Sequence, residues 1–171
     1  MHPVLFHFRS MTIYTYGFFV ALAVFFSFLL VSRRAKSLGL DAGLAGDLGF
    51  FLFVSGGIGA RLFYVIQHFE DYRGAWWQIF SVAEGGLVWY GGFLVAASVG
   101  LGTAVWRRWP VLRFCDLFAP ILPLAHAIGR IGCFFNGCCF GRETTLPFGV
   151  VFGGDSAPRI PTQLMESGAL F

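Results

Sequence analysis

The residues able to do chemistry in this chain concentrate in one stretch, Gly129-Arg130-Ile131-Gly132-Cys133-Phe134-Phe135-Asn136-Gly137-Cys138-Cys139-Phe140-Gly141-Arg142. It opens with an arginine inside an apolar run and closes in a turn rich in glycine and cysteine. A cation in hydrocarbon costs roughly 2.5–3.5 kcal/mol on the insertion scale. Arg130 therefore requires a counter-charge, a water-filled cavity or an anionic ligand at its own depth. Cys133, Cys138 and Cys139 add three thiols whose pKa values neighbouring arginines can lower. They form no C-x-x-C pair and have no histidine cluster beside them, so the spacing is not that of a zinc site. A disulfide and simple packing as small apolar residues are the two readings left open for them.

The elements that position these residues follow from composition. The chain is 57% hydrophobic and 12% charged, with 22 phenylalanines and five tryptophans, and its mean hydropathy is +0.72. That excludes a soluble domain, whose surface needs about twice the charge. The net charge of +3 sits in short clusters at helix ends, which argues against a nucleic-acid partner. Four spans are read at about residues 14–31, 46–66, 87–106 and 114–135, each near the ~20 residues that cross a ~30 Å hydrocarbon core. The first has no basic leader or small-residue cleavage site, so it is read as a span and not a signal peptide. The expected fold is an all-α polytopic bundle forming a single integral membrane domain over residues 1–171, the N-terminal part of a longer chain.

Arg33, Arg34 and Lys36 follow the first span, and Arg107, Arg108 and Arg113 join the third to the fourth. The positive-inside rule puts both clusters in the cytoplasm and the N-terminus outside. The opposite loops hold Arg9, Arg73, Arg142 and Arg159, the last three accompanied by Glu70, Asp71, Glu84, Glu143 and Asp155. Residues 67–83, with Phe69, Tyr72, Trp76 and Trp77, read as an outer interfacial belt. Residues 141–161 read as a polar outer loop with a short strand at 148–152, and residues 162–171 as the start of another helix.

This topology collects polar groups at one depth. Arg61 lies about five residues, roughly 7–8 Å, inside the outer end of the second span, and Arg130 is placed similarly in the fourth. Tyr16 opens the first span and Tyr90 lies just inside the outer end of the third. Gly56, Gly57 and Gly59 precede Arg61, and Gly91 and Gly92 follow Tyr90; such residues permit close helix approach or leave room for a ligand. Asp47 and Asp116 fall near cytoplasmic ends, too far to pair with the arginines. Two arginines at one depth without an obvious carboxylate point to an anionic ligand, a phospholipid headgroup held by bidentate guanidinium–phosphate bonds. His126 reads as a hydrogen-bonded core histidine, and His2, His7 and His68 as peripheral. Glu84 and Glu166 lie near the outer face as solvated carboxylates, salt-bridge partners or a base.

In order and spacing, several segments resemble the bacterial prolipoprotein diacylglyceryl transferase family over essentially the whole chain. They are Tyr14-Thr15-Tyr16-Gly17, Gly59-Ala60-Arg61-Leu62, the Gly-Gly-Leu-Val-Trp-Tyr-Gly-Gly run at 85–92, Asp116-Leu117-Phe118-Ala119-Pro120, Gly129-Arg130-Ile131-Gly132, and Arg159-Ile160-Pro161-Thr162-Gln163-Leu164-Met165-Glu166. The family's usual signature, G-R-x-G-N-F-x-N-G-E, has Cys133 here for its asparagine and Cys138 for its glutamate. Tyr90 stands for its histidine before the Gly-Gly pair, and Ile160 for a histidine of the late motif. The chain looks like a cysteine-bearing branch of the family. Relatives carry further C-terminal spans, one with another functional arginine.

The resemblance implies transfer of a diacylglyceryl group from phosphatidylglycerol to the lipobox cysteine of an exported prolipoprotein, at the outer face of the bacterial inner membrane, with no metal or organic cofactor. It assigns Arg130 and Arg61 to the phosphate, and Tyr16 and Tyr90 to the thiol or headgroup. Asn136 and Gly141 shape the site, with Gly91, Gly92, Arg159 and Glu166 on the substrate side. Cys133, Cys138 and Cys139 are the variant positions. Two other functions are carried alongside: a membrane thiol-disulfide redox protein using those cysteines, and a lipid-binding or transport module without chemistry.

Overall fold

The computed structural model describes residues 3–8, 11–81 and 85–171. Arg9, His2 and Glu84 lie outside the described residues. Four helical segments are long and apolar enough to cross a membrane: Thr15–Ser37, Ala42–Gln67, Trp89–Trp106 and Val111–Asn136. The first three are the uninterrupted helices α1, α2 and α3. The fourth is divided into α4 (Val111–Phe118) and α5 (Ile121–Asn136). Pro120 causes the division: it lacks an N–H and disfavours helical geometry in the residue before it. Pro123 is tolerated in the first turn of α5, where the N–H would have no intrahelical partner. The spans carry large apolar side chains on their outer surfaces, among them Phe25, Phe51 and Ile58. That pattern suits contact with lipid and not with water.

The chain divides into two compact units, one of residues 1–30 with 118–171, the other of residues 31–117. In the first, a hairpin absent from the expected architecture precedes α1. Its strands β1 (Val4–Phe8) and β2 (Met11–Tyr14) pair antiparallel with Val4 opposite Tyr14 and His7 opposite Thr12. The Thr15 N–H at the start of α1 donates to Pro3 O at 2.9 Å. The α1–α5 contact is close at Gly132, where a Cβ would lie 2.9 Å from Phe19 Cβ, and Phe19 stacks on Phe135 with ring centres 5.5 Å apart. The expected last helix is present as α6, Thr162–Leu170. Its Ser167 hydroxyl, buried, donates to Ala127 O of α5 at 3.0 Å. The expected strand at 148–152 reduces to a single bridge of Val150 to Arg159.

In the second unit α1 ends at Ser37, and Gly39 beyond it, with φ +69° and the Leu40 N–H bonded to Ala35 O, forms a glycine C-cap. Asp41 then caps α2, accepting from the Leu44 N–H at 2.8 Å. Arg34 Nε donates to Asp116 O at 2.8 Å, which ties the end of α1 to α4. The unit is dominated by α2 against α3, in contact through glycines. A Cβ on Gly59 would stand 2.5 Å from Val95 Cβ and 2.7 Å from Gly91 O; one on Gly92 would stand 2.9 Å from Gly56 O.

Candidate functional site

Arg130 is held in the interior face of α5, its side chain only 14% exposed. Its Nε lies 2.7 Å from Glu166 Oε2 of α6, although the N–H is not aimed as a hydrogen bond. This corrects the expectation that no carboxylate serves the arginine. Glu166 lies one turn after Gln163 on the helix that docks against α5. His126 Nε2, one turn before Arg130, is 3.7 Å from the same carboxylate oxygen. Glu166 is half exposed at 51%, so it neutralises the guanidinium from one side while facing solvent on the other. The other guanidinium nitrogens of Arg130 make no hydrogen bond among the described residues.

A helix terminus brings the thiols together. Gly137 closes α5 at φ +74°, with the Cys138 N–H bonded back to Cys133 O at 3.2 Å, as in a Schellman end. Cys139 follows at φ +63°, an uncommon left-handed conformation for a residue with a Cβ. The two left-handed residues fold the chain back on itself. All three sulfurs then lie within 4.8 Å of one another, and the Cys139 thiol donates to Cys138 Sγ at 3.5 Å. Among the described residues this is the group of three or more metal-capable side chains. Helix α6 fixes the turn from the other side. Gln163, fully buried, donates from Nε2 to Cys138 O at 2.6 Å, and the Thr162 hydroxyl donates to Cys139 O at 3.0 Å. Burial, the largest cause, and the hydrogen bond with Cys138 hold the Cys139 thiol above its ordinary pKa, while the Arg130 charge acts in the opposite direction. Neither the convergence of the sulfurs nor the buried Gln163 was anticipated. The only signal was a glycine placed immediately before Cys138.

Tyr16, 42% exposed, lies on α1 beside this end of α5, where its ring edge approaches Gly132. Asn136 ends α5 and is exposed. Gly141 is closely surrounded: a Cβ there would meet Thr162 Cγ2 at 2.9 Å and Ile160 Cβ at 3.1 Å. Arg159 is engaged within its own loop. It clamps the loop, with Nε 2.7 Å from Asp155 Oδ2, Nη2 3.4 Å from Glu143 Oε1, and the guanidinium 5.0 Å above the Phe140 ring. Its hydrogen bond to Asp155 raises its pKa further. Phe140 in turn stacks on the buried Phe152, the small core of this loop.

The remaining candidates belong to the second unit. Arg61, expected at the phosphate, uses four of its five N–H donors on loop carbonyls: Nε to Ile79 at 2.7 Å, Nη2 to Gln78 at 2.7 Å, and Nη1 to Gly85 and Gly86 at 3.0 and 3.1 Å. It pins the loop between α2 and α3, a role invisible in spacing alone. At Gly91 and Gly92, of the two readings, close helix approach is the one with contacts behind it: a Cβ would run into Phe63 Cβ and Gly56 O of α2. Tyr90 is 72% exposed, edge-on to Trp89.

Fold and site define a multi-pass membrane protein with a half-neutralised arginine and three converging thiols at the end of its fourth span. The chain belongs to the prolipoprotein diacylglyceryl transferase family, whose model matches residues 3–171. It is similar to the phosphatidylglycerol–prolipoprotein diacylglyceryl transferase 2 of Clostridium perfringens, 32% identical over 173 residues that cover 98% of this chain and 67% of that protein. The Clostridium tetani transferase is 32% identical over 96% of this chain and 65% of its own length. The Cupriavidus metallidurans transferase is 38% identical over 96% and 64%. The chain thus spans about two thirds or less of the length of these relatives.

Proposed function

We propose that the protein transfers the diacylglyceryl group of phosphatidylglycerol to the lipobox cysteine of prolipoproteins, as the names of its relatives describe for them. The observation that carries this reading is Arg130: a guanidinium inside a span, paired through Nε, with its remaining donors directed to no other described residue. Those donors suit two phosphate oxygens. In the reaction a sulfur–carbon bond forms at the glyceryl carbon as the carbon–oxygen bond to phosphate breaks. The electron pair leaves with glycerol phosphate, and the thiol proton goes to solvent or a nearby base. Charge grows on the phosphate in the transition state, and a fixed cation stabilises it there.

Tyr16 contacts the headgroup or the incoming thiol, a role supported by its ring edge standing beside Gly132 of α5, and Glu166 orients Arg130. Arg61 serves by holding its loop. The N-terminus and the end of α5 face the outside and the arginine clusters face the cytoplasm, an orientation supported by the positive-inside distribution. The test is Arg130→Gln in the full-length protein, followed by lipid label moving onto a lipobox peptide. A loss of two orders of magnitude or more is expected. Near-normal transfer overturns the role of Arg130, and phosphatidylglycerol binding without release of glycerol phosphate by the unsubstituted protein overturns the reaction.

A further inference from the structure

Three thiols at one point are more than the transfer chemistry above uses. Their convergence rests on a Schellman end, on Cys139 at φ +63°, and on two hydrogen bonds from α6 to the Cys138 and Cys139 carbonyls. We propose that Cys133, Cys138 and Cys139 form a three-thiolate zinc site whose fourth coordination position accepts an incoming thiol.

Zinc–sulfur bonds of about 2.3 Å in a tetrahedron place sulfurs about 3.8 Å apart. Here one pair stands at 3.5 Å and every pair lies within 4.8 Å, so side-chain rotation of about 1 Å completes the geometry. No fourth histidine, cysteine, aspartate or glutamate joins the group among the described residues. Three protein ligands with an open position is the pattern of a reactive zinc, not a structural one. Zn²⁺ with three thiolates carries one net negative charge, and Arg130, whose charge reaches the Cys139 sulfur, offsets it. A disulfide suits the group less well. Adjacent cysteines have Cα atoms about 3.8 Å apart, shorter than the 4.4–6.8 Å that disulfides adopt. Pairing Cys133 with either neighbour leaves an odd thiol.

Zinc would lower the pKa of a thiol taking the fourth position, whose proton leaves to solvent on binding. This second part rests on the transferase reading, in which a thiol is the nucleophile; the metal site itself does not.

The test uses the full-length protein in phosphatidylglycerol nanodiscs, reduced, incubated with zinc chloride and desalted. One zinc per chain is expected, with three sulfurs at about 2.3 Å by X-ray absorption. Each single Cys→Ser variant should weaken zinc by more than the roughly 10–100-fold that outer partners contribute. Adding a lipobox peptide should raise the sulfur count to four. Zinc no higher than in the triple Cys→Ser variant overturns the site, as does copper binding in place of zinc, or an intramolecular disulfide in the protein isolated without reductant together with no zinc uptake after reduction. A count fixed at three with peptide present overturns the open position. Metal content is read without lipid transfer, so failed transfer with zinc bound counts only against the transferase reading, and intact transfer without zinc only against the metal.

Discussion

Removing the Arg130 charge should damage catalysis far more than folding, and the surroundings of the side chain set the two magnitudes. Its one described ion-pair partner, Glu166, lies 2.7 Å away but is 51% exposed. In Arg130→Gln the carboxylate is left facing water on one side and does not become a buried orphan. The structural loss should therefore lie near the low end, about 1 kcal/mol as for an exposed pair, and not the 3–5 kcal/mol of a broken buried pair. The transition-state loss is that of a preorganised donor set on a developing oxyanion, about 2.7–4 kcal/mol, or 10²–10³ in rate. Arg130→Lys keeps the charge and loses the bidentate fork, so its transfer rate should fall between the other two. The assay pairs kcat/KM for label transfer with thermal unfolding in detergent, for both variants and for Glu166→Gln. Glu166→Gln should retain more activity than Arg130→Gln, because the guanidinium stays. If Arg130→Gln unfolds as sharply as it loses activity, the residue is a structural ion-pair member and the phosphate role fails; if Lys matches Arg, charge alone acts and the bidentate fork fails.

Three more outcomes follow from particular contacts. Gly59→Ala should destabilise by about 1–3 kcal/mol through overpacking against Val95 and Gly91 O. Gly57→Ala, with nothing within 4 Å of its Cβ, should not; matched unfolding curves check the pair, and equal curves would refute the glycine contact. Arg61→Gln removes most of the donors to the carbonyls of Gln78, Ile79, Gly85 and Gly86, so limited proteolysis should cut that loop faster while cleavage elsewhere is unchanged. In metal-free protein Cys139 has a pKa raised by burial, so less thiolate is present at a given pH than for an ordinary thiol near 8.5. Its maleimide labelling, followed in a Cys115→Ser, Cys133→Ser, Cys138→Ser background that leaves Cys139 as the one thiol, should still be rising above pH 9, and a plateau by pH 8 would contradict the burial.

The spans were legible because apolar length is a one-dimensional property: the expected segments at 14–31, 46–66, 87–106 and 114–135 overlap the helices found. What one dimension misses is direction and reach. Arg61 and Arg130 look alike in sequence, each an arginine after small residues near a span end. One meets the carbonyls of a folded-over loop and the other a carboxylate on α6, because the loop between α2 and α3 returns over its helix through Gly85 and Gly86, both at positive φ. The glycine pair at 91–92 was equally ambiguous, since close packing and ligand room call for the same residue. The N-terminal hairpin escaped because its strands are short and the second runs directly into the first span.

The thiols show the same limit in sharper form. Metal spacings such as C-x-x-C are diagnostic because a short turn alone aims both sulfurs inward. In Cys133-x4-Cys138-Cys139 the aim depends on conformation instead: a helix must end at Gly137 and two residues must turn left-handed. Position 139 is the discriminating one, since a Cβ at φ +63° is disfavoured by about 1–2 kcal/mol and something must offset it. The hydrogen bond from Thr162 to Cys139 O and that from Gln163 to Cys138 O are placed to do so. Cys139→Gly would relieve that backbone cost and should leave folding as stable or more so, while removing one sulfur from the group. If the turn existed only for packing, that variant would shift stability and leave zinc uptake unchanged. If it exists to aim sulfur, stability and function will move in opposite directions.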